Sequence, residues 1–167
     1  MRRGVYCLRV VSDRIYPGII EETALAMRAV MPISKVNVIP ARKSRAVIIF
    51  SYSKHWPCLF PQHGPGRKHE RPIRLEVWQQ SIVEHHPEAF LRGLIHSDGC
   101  RVVNRVQRRK YAYPRYNFTN VSDDIRRLFT DSCDQLEISW RQMNARNISV
   151  ARREAVAIMD TFIGPKT

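Results

Sequence analysis

The segment Phe90-Leu91-Arg92-Gly93-Leu94-Ile95-His96-Ser97-Asp98-Gly99-Cys100 sets one carboxylate at the end of an apolar run and directly before a glycine. Pro87 suits the first turn of a helix, where its missing N–H costs nothing, and Gly99 suits a C-terminal cap. A helix over 87–98 is therefore expected. At its C-terminal end the backbone carbonyls already make the potential negative, so a carboxylate there is favoured only beside a cation. A hard divalent ion such as Mg²⁺, held by Asp98 together with carbonyl oxygen at Gly99 and water, would meet that need. The same Asp-Gly pair also suits a plain turn from helix into strand. The residue types alone leave both readings open.

At 100° per residue, Phe90, Gly93, Leu94 and Ser97 fall on one face of this helix, and Leu91, Ile95 and Asp98 on another. Gly93 and Ser97 are small residues four apart, a spacing that lets two helix backbones approach closely. That face asks for a partner helix, while Leu91 and Ile95 are expected in the core. Just downstream, no acidic residue occurs between Gly99 and Ser122, yet Arg101, Arg105, Arg108, Arg109, Lys110 and Arg115 do, interleaved with Tyr111, Tyr113 and Tyr116. Strand alternation puts Arg101 and Arg105 on one face with Val103. Such a basic face suits phosphate contacts and arginine–guanine readout in the major groove, as a solvated hairpin would also look. In the first half of the chain Arg2, Arg3, Arg9, Arg42, Lys43 and Arg45 occupy comparable strands and turns.

The elements that must position these groups repeat along the chain. Val11-Ser12-Asp13 is followed by a helical stretch over 15–30, and Val121-Ser122-Asp123 by one over 125–136. A strand precedes each Ser-Asp pair, over 5–11 and 115–120, and Ser or Asp there reads as an N-cap. Strand-like residues follow each helix, 35–39 with 46–52 and 138–143 with 147–151. Each copy closes on Gly-Pro, Gly64-Pro65 and Gly164-Pro165. The second copy adds the 87–98 helix and a strand over 100–106. The first begins almost at its strand, so it is expected to lack an opening helix and strand. An amphipathic piece around Leu75, Val77, Trp78, Ile82 and Val83 connects the two. The expected class is α+β, a single domain over 1–167 built from two repeats, 1–75 and 76–167.

The formal charge of +13, from 28 Lys and Arg against 15 Asp and Glu, points to a polyanionic partner, with nucleic acid first. No window holds the roughly 20 apolar residues that cross a bilayer, and four separated cysteines do not suggest a disulfide framework. These features lead us to expect a soluble, reduced, cytoplasmic protein without a membrane partner, associated with the nucleoid when bound to DNA. His55, Cys58, His63 and His69 share one loop-rich stretch, but their spacing lacks a paired zinc signature.

The run Leu91-Arg92-Gly93-Leu94-Ile95-His96-Ser97-Asp98-Gly99 resembles the LAGLIDADG motif of the homing endonucleases. It matches at Leu, Gly, Leu, Ile, Asp and Gly and departs at Arg92, His96 and Ser97. With the two-copy organisation, the chain looks most like the two-repeat, dodecapeptide (DOD) type. The resemblance implies two pseudo-symmetric αββαββα repeats, the first incomplete, whose antiparallel saddle sheets grip double-stranded DNA. It implies site-specific, metal-dependent phosphodiester hydrolysis, with Asp98 holding Mg²⁺ or another divalent cation. It also implies a lysine near the active site, for which Lys68 in Gly-Pro-Gly-Arg-Lys-His is the best match, with Lys166 its counterpart in the repeat. The family's activity needs two motif acids from two facing helices, and this chain supplies one. The second is expected from N-terminal sequence ahead of Arg2 or from a second chain. The alternative is a nuclease-dead DNA-binding or regulatory protein that uses the same saddle.

Overall fold

A computed structural model describes residues 4–67, 70–106 and 111–167. The described residues form six helices and two antiparallel sheets, a mixed α+β architecture as expected. They divide into two compact units, residues 4–63 with 165–167, and the described residues between 64 and 164. No helix among the described residues is long and apolar enough to cross a membrane.

In the first unit, β1 (Tyr6–Asp13), α1 (Pro17–Val30), β2 (Val36–Pro40), β3 (Ala46–Ser53) and the short α2 (Trp56–Leu59) follow one another. The sheet order is β1-β3-β2, all antiparallel. Ala24 and Met27 of α1 bury against Ile49, with Leu8, Val10, Ile20 and Val36 around them. Ser12 and Asp13 were expected to cap α1. They remain in β1 instead, and α1 starts from Tyr16 with no side-chain cap, its entry set by Pro17 in the first turn. Asp13 accepts from the Ile15 N–H at 3.1 Å, and that bond is the main reason its carboxyl is held below the ordinary value. Lys166 lies over the Tyr16 ring, 5.1 Å from its centroid.

The second unit runs α3 (Val77–His85), α4 (Pro87–Asp98), β4 (Gly99–Val106), β5 (Tyr111–Thr119), α5 (Asp123–Gln135), β6 (Arg141–Gln142), β7 (Asn147–Val150) and α6 (Arg153–Phe162). Its sheet order is β4-β5-β7-β6. From β5 onward this is the same succession as the first unit, strand, helix, two strands and helix, and β5-β7-β6 repeats β1-β3-β2. The expected cap is present at α5, where the Ser122 Oγ accepts from the Ile125 N–H at 3.4 Å and Asp123 and Asp124 occupy the first turn. The amphipathic connector forms α3, closed at its start by a reciprocal capping box between Glu76 and Gln79.

The core of this unit gathers Leu91 and Ile95 from α4, Tyr116 and Phe118 from β5, and Phe129 and Cys133 from α5. Ile148 and Val150 of β7, Ala155, Val156 and Met159 of α6, and Ile138 and Ile163 belong to it as well. The Phe118 and Phe129 rings stack at 4.4 Å between centroids, 8° from parallel. Burial first, and the neighbouring Asp134 second, push the Cys133 thiol up to about 12, so it packs as a small hydrophobe.

The helix over 87–98 forms with the expected bounds, but Gly99 is not a left-handed cap. Its backbone is extended, φ −122° and ψ 175°, and it is already the first residue of β4. The need for glycine is steric. A Cβ at position 99 would lie 2.7 Å from Ile95 Cδ1, 2.9 Å from Ile95 Cα and 3.0 Å from the Asn117 carbonyl oxygen. Two of those neighbours are backbone atoms that cannot rotate away. Gly99→Ala is expected to lower the urea midpoint by an amount equivalent to about 1–3 kcal/mol, as overpacking does. A midpoint unchanged from wild type would show that the helix–strand junction tolerates the methyl.

Candidate nucleic-acid interface and the motif carboxylate

Because α4 runs into β4 without a connector, its last side chain is placed by both elements. Asp98 is exposed, and its Oδ2 accepts from the Asn120 Nδ2 at 3.1 Å. Asn120 is fixed in turn: its Oδ1 accepts from the Ser122 N–H at 2.9 Å, and its carbonyl accepts from Arg126 at 2.6 Å. The carboxylate is thus tethered on one side to the entrance of α5 and open on the other.

Leu91 and Ile95 are buried at 0% and 2% exposure, as the helical spacing predicts. On the neighbouring face Leu94 packs against the core and Phe90 is half-buried, whereas Gly93 and Ser97 are exposed. A Cβ placed on Gly93 would meet no atom within 4 Å. The Ser97 hydroxyl turns back to the Leu94 carbonyl at 2.9 Å. The small-residue part of this face is therefore open among the described residues.

Register separates the arginines of β4 and β5. Arg101 lies opposite Tyr116, Val103 opposite Pro114 and Arg105 opposite Ala112. Tyr116 is a core residue, so this face is the one covered by helices. Arg101 accordingly reaches α6, where its Nε and one terminal nitrogen grip both oxygens of Asp160 at 2.7 and 2.8 Å. The Tyr116 hydroxyl donates to the same carboxylate at 2.6 Å. Arg101, read from sequence as a phosphate contact, has its guanidinium committed within the protein. Hydrogen bonding from Arg101 holds the Asp160 carboxyl below its ordinary value, and burial, reinforced by Asp160, drives the Tyr116 phenol above its own.

The opposite face of the sheet carries Cys100, Val102 and Asn104 from β4, then Tyr113, Arg115, Asn117 and Thr119 from β5. Asn147 and Ser149 continue it on β7, and Arg141 lies opposite Ser149 on β6. Arg115 is the one basic residue singled out from β5 that belongs here. Arg141 and Arg152 were not singled out from the sequence. The signal available was the two-residue alternation through 147–151, which sets them beside a strand whose other face is apolar.

In the first unit the uncovered sheet face carries Cys7, Arg9 and Val11, opposite Tyr52, Phe50 and Ile48, with Asn37 and Ile39 beyond. Arg9 is its single cation among the described residues. Arg42 and Lys43 are exposed in the β2–β3 turn. Arg45, in the same turn, pairs with Asp13 at 3.2 Å. Arg2, Arg3, Lys68, Arg108, Arg109 and Lys110 lie outside the described residues.

No protein-family model matches the chain, and no curated protein matches it. Among solved structures it is similar to the LAGLIDADG homing endonuclease I-GzeII in complex with its DNA target. The TM-score is 0.55 over 96% of this chain and 74% of that one, at 9% sequence identity. A likeness at that identity shows the fold.

The Arg101–Asp160–Tyr116 cluster has a defined acid response. A folded carboxyl held below the unfolded aspartate value of 3.8 stabilises the protein above that pH, and the contribution is lost as pH falls below it. Urea midpoints measured from pH 6 downward should fall less steeply in Asp160→Asn than in wild type. Parallel profiles would mean that the cluster contributes nothing to acid stability.

Proposed function

We propose that the chain is a DNA-binding protein of the homing-endonuclease type, with Asp98 as a phosphodiester-hydrolysing carboxylate. The single observation that carries the reading is the junction of α4 and β4: a core-anchored helix ends on an exposed, tethered carboxylate immediately before a glycine that steric contact demands. The charge of +13 and the fold shared with a DNA-bound homing endonuclease support duplex DNA as the partner. Site specificity and membership of the DOD type belong to this proposal.

The chemistry of the donor set limits what Asp98 does by itself. Among the described residues no three His, Cys, Asp or Glu side chains gather as a metal cage. One exposed carboxylate does fit a Mg²⁺ ion whose remaining ligands are water and substrate phosphate, the usual habit of that ion. Such an ion at Asp98 would supply Lewis-acid charge to the scissile phosphate. The chain's own contribution is to hold the carboxylate: Asn120 orients one oxygen, and Leu91 and Ile95 anchor the helix beneath it. Lys68 is proposed to stabilise developing charge on the phosphate. A second motif acid, on a helix seated against the Gly93–Ser97 face, completes the two-strand reaction. That helix comes from further sequence or from a second chain.

The single exposed motif carboxylate equally favours a second reading, a nuclease-dead DNA binder. One experiment separates them. Fluorescence anisotropy with duplex DNA is expected to show binding that weakens linearly in log salt, with slope about 0.9 per phosphate neutralised. Incubation of a random duplex library with Mg²⁺ should yield cut products that disappear in Asp98→Asn while binding is kept. Binding without cutting in both proteins would establish the second reading, and absence of duplex binding would sink both.

A further inference from the structure

On the uncovered face of the second unit, the sheet, the 139–143 segment and the entrance of α6 line a half-open cavity of about 550 Å³. That volume falls within the range of small-molecule sites, about 300–1,000 Å³. Its lining includes Arg115, Trp140, Arg141, Ser149 and Arg152, with no carboxylate among its lining residues. Three guanidinium groups around one hollow make a strongly positive site.

Two buried polar atoms here lack partners. Ser149 is 3% exposed and its hydroxyl has no hydrogen-bond partner, and the Arg115 Nε is also buried and unpaired. An unsatisfied buried donor is costly, and an anion accepting from both would relieve that cost. Arg152 stands at the N-cap of the ten-residue α6, the end where backbone N–H groups are free and the dipole favours negative charge. Its guanidinium reaches the Ser139 hydroxyl at 3.5 Å on the same rim.

Trp140 adds a second chemistry. Its indole N–H donates to Asp134 at 2.7 Å, so the ring is fixed and its polar edge is spent. Part of the ring packs against the core and the rest lines the cavity, and a base stacks on an aromatic surface with little regard to sequence.

We propose that this cavity binds a single unstacked nucleotide. The phosphate lies among Arg115, Arg141, Arg152 and the Ser149 hydroxyl, and the base lies against Trp140. The ligand is either a free mononucleotide or one nucleotide of an unpaired strand. The proposal rests on the cavity and not on duplex cleavage, so failure of duplex binding leaves it standing.

Calorimetric titration of the full chain with deoxyadenosine monophosphate, inorganic phosphate and deoxyadenosine tests it. Saturable binding of the monophosphate is expected, about tenfold or more tighter than either fragment. Arg141→Gln, an exposed position that should fold normally, and Ser149→Ala are each expected to weaken it about tenfold. Trp140→Phe, which keeps an aromatic face, should retain binding, whereas Trp140→Leu should reduce the monophosphate to the affinity of phosphate. Circular dichroism of every variant separates a lost site from a lost fold. Competition by single-stranded oligonucleotide identifies the strand as the source, and its failure identifies the free nucleotide. No saturable binding, binding unchanged in both Arg141→Gln and Ser149→Ala, or phosphate bound as tightly as the monophosphate would each overturn the proposal.

Discussion

The close approach of Gly99 to Ile95 and to the Asn117 carbonyl fixes the geometry around which the second unit is arranged. A helix and a strand joined without a connector must share a residue that satisfies both, and any side chain larger than hydrogen would crowd backbone atoms on two sides. The strand begins one residue after the helix ends. The last helical turn is therefore pressed onto β5, and Leu91 and Ile95 are delivered into the core with no adjustable loop between them. Glycine costs more conformational entropy than alanine to order, yet here the smaller side chain allows a contact that sets the aim of Asp98. The carboxylate emerges where α4, β5 and the entrance of α5 meet, and Asn120 holds one of its oxygens.

Period-two alternation and helix cover together sort the cations of the sheet. On the covered face an arginine lies near core residues, and Arg101 is satisfied by a two-point ion pair with Asp160 beside the Tyr116 hydroxyl. On the uncovered face Arg115 and Arg141 accompany Asn117 and Ser149, and no acid is among the residues that line the hollow beside Trp140. Arginines close in sequence therefore have opposite physical roles. One is paired with a carboxylate at the part-exposed edge of the covered face, and the others keep their charge available to an anion.

The two units repeat an order of elements without repeating the chemistry of their surfaces. In the first, the uncovered sheet face carries Val11, Ile39, Ile48, Phe50 and Tyr52 with Arg9 alone among them. In the second, the equivalent strands carry arginine, asparagine and serine. The Ser-Asp pair shows the same divergence. Ser122 caps α5, while Ser12 and Asp13 stay in their strand and α1 starts at a proline-led turn. A repeated triplet does not enforce a repeated cap where Pro17 already fixes the backbone of the first turn.

Local patterns carried much of the architecture. The apolar spacing of Leu91 and Ile95, Pro87 at the helix start, and the repeated strand–helix–strand order were legible from residues 1 to 167, because helix and strand periods act over a few neighbours. The motif carboxylate and its glycine stood out by resemblance to a family motif, since the residue types alone left a metal site and a plain turn both open. The sequence alone also set the large positive charge. Tertiary structure decided the rest. Gly99 looked like a cap by local chemistry and is extended, since the constraint comes from Ile95 and from Asn117, eighteen residues away in β5. Arg101 looked like a surface cation and is paired, since Asp160 comes from α6. The cavity beside Trp140 joins Arg115 of β5 to β7 and the start of α6, which lie more than thirty positions further along the chain. Such contacts depend on which face the helices cover, and no local period encodes that.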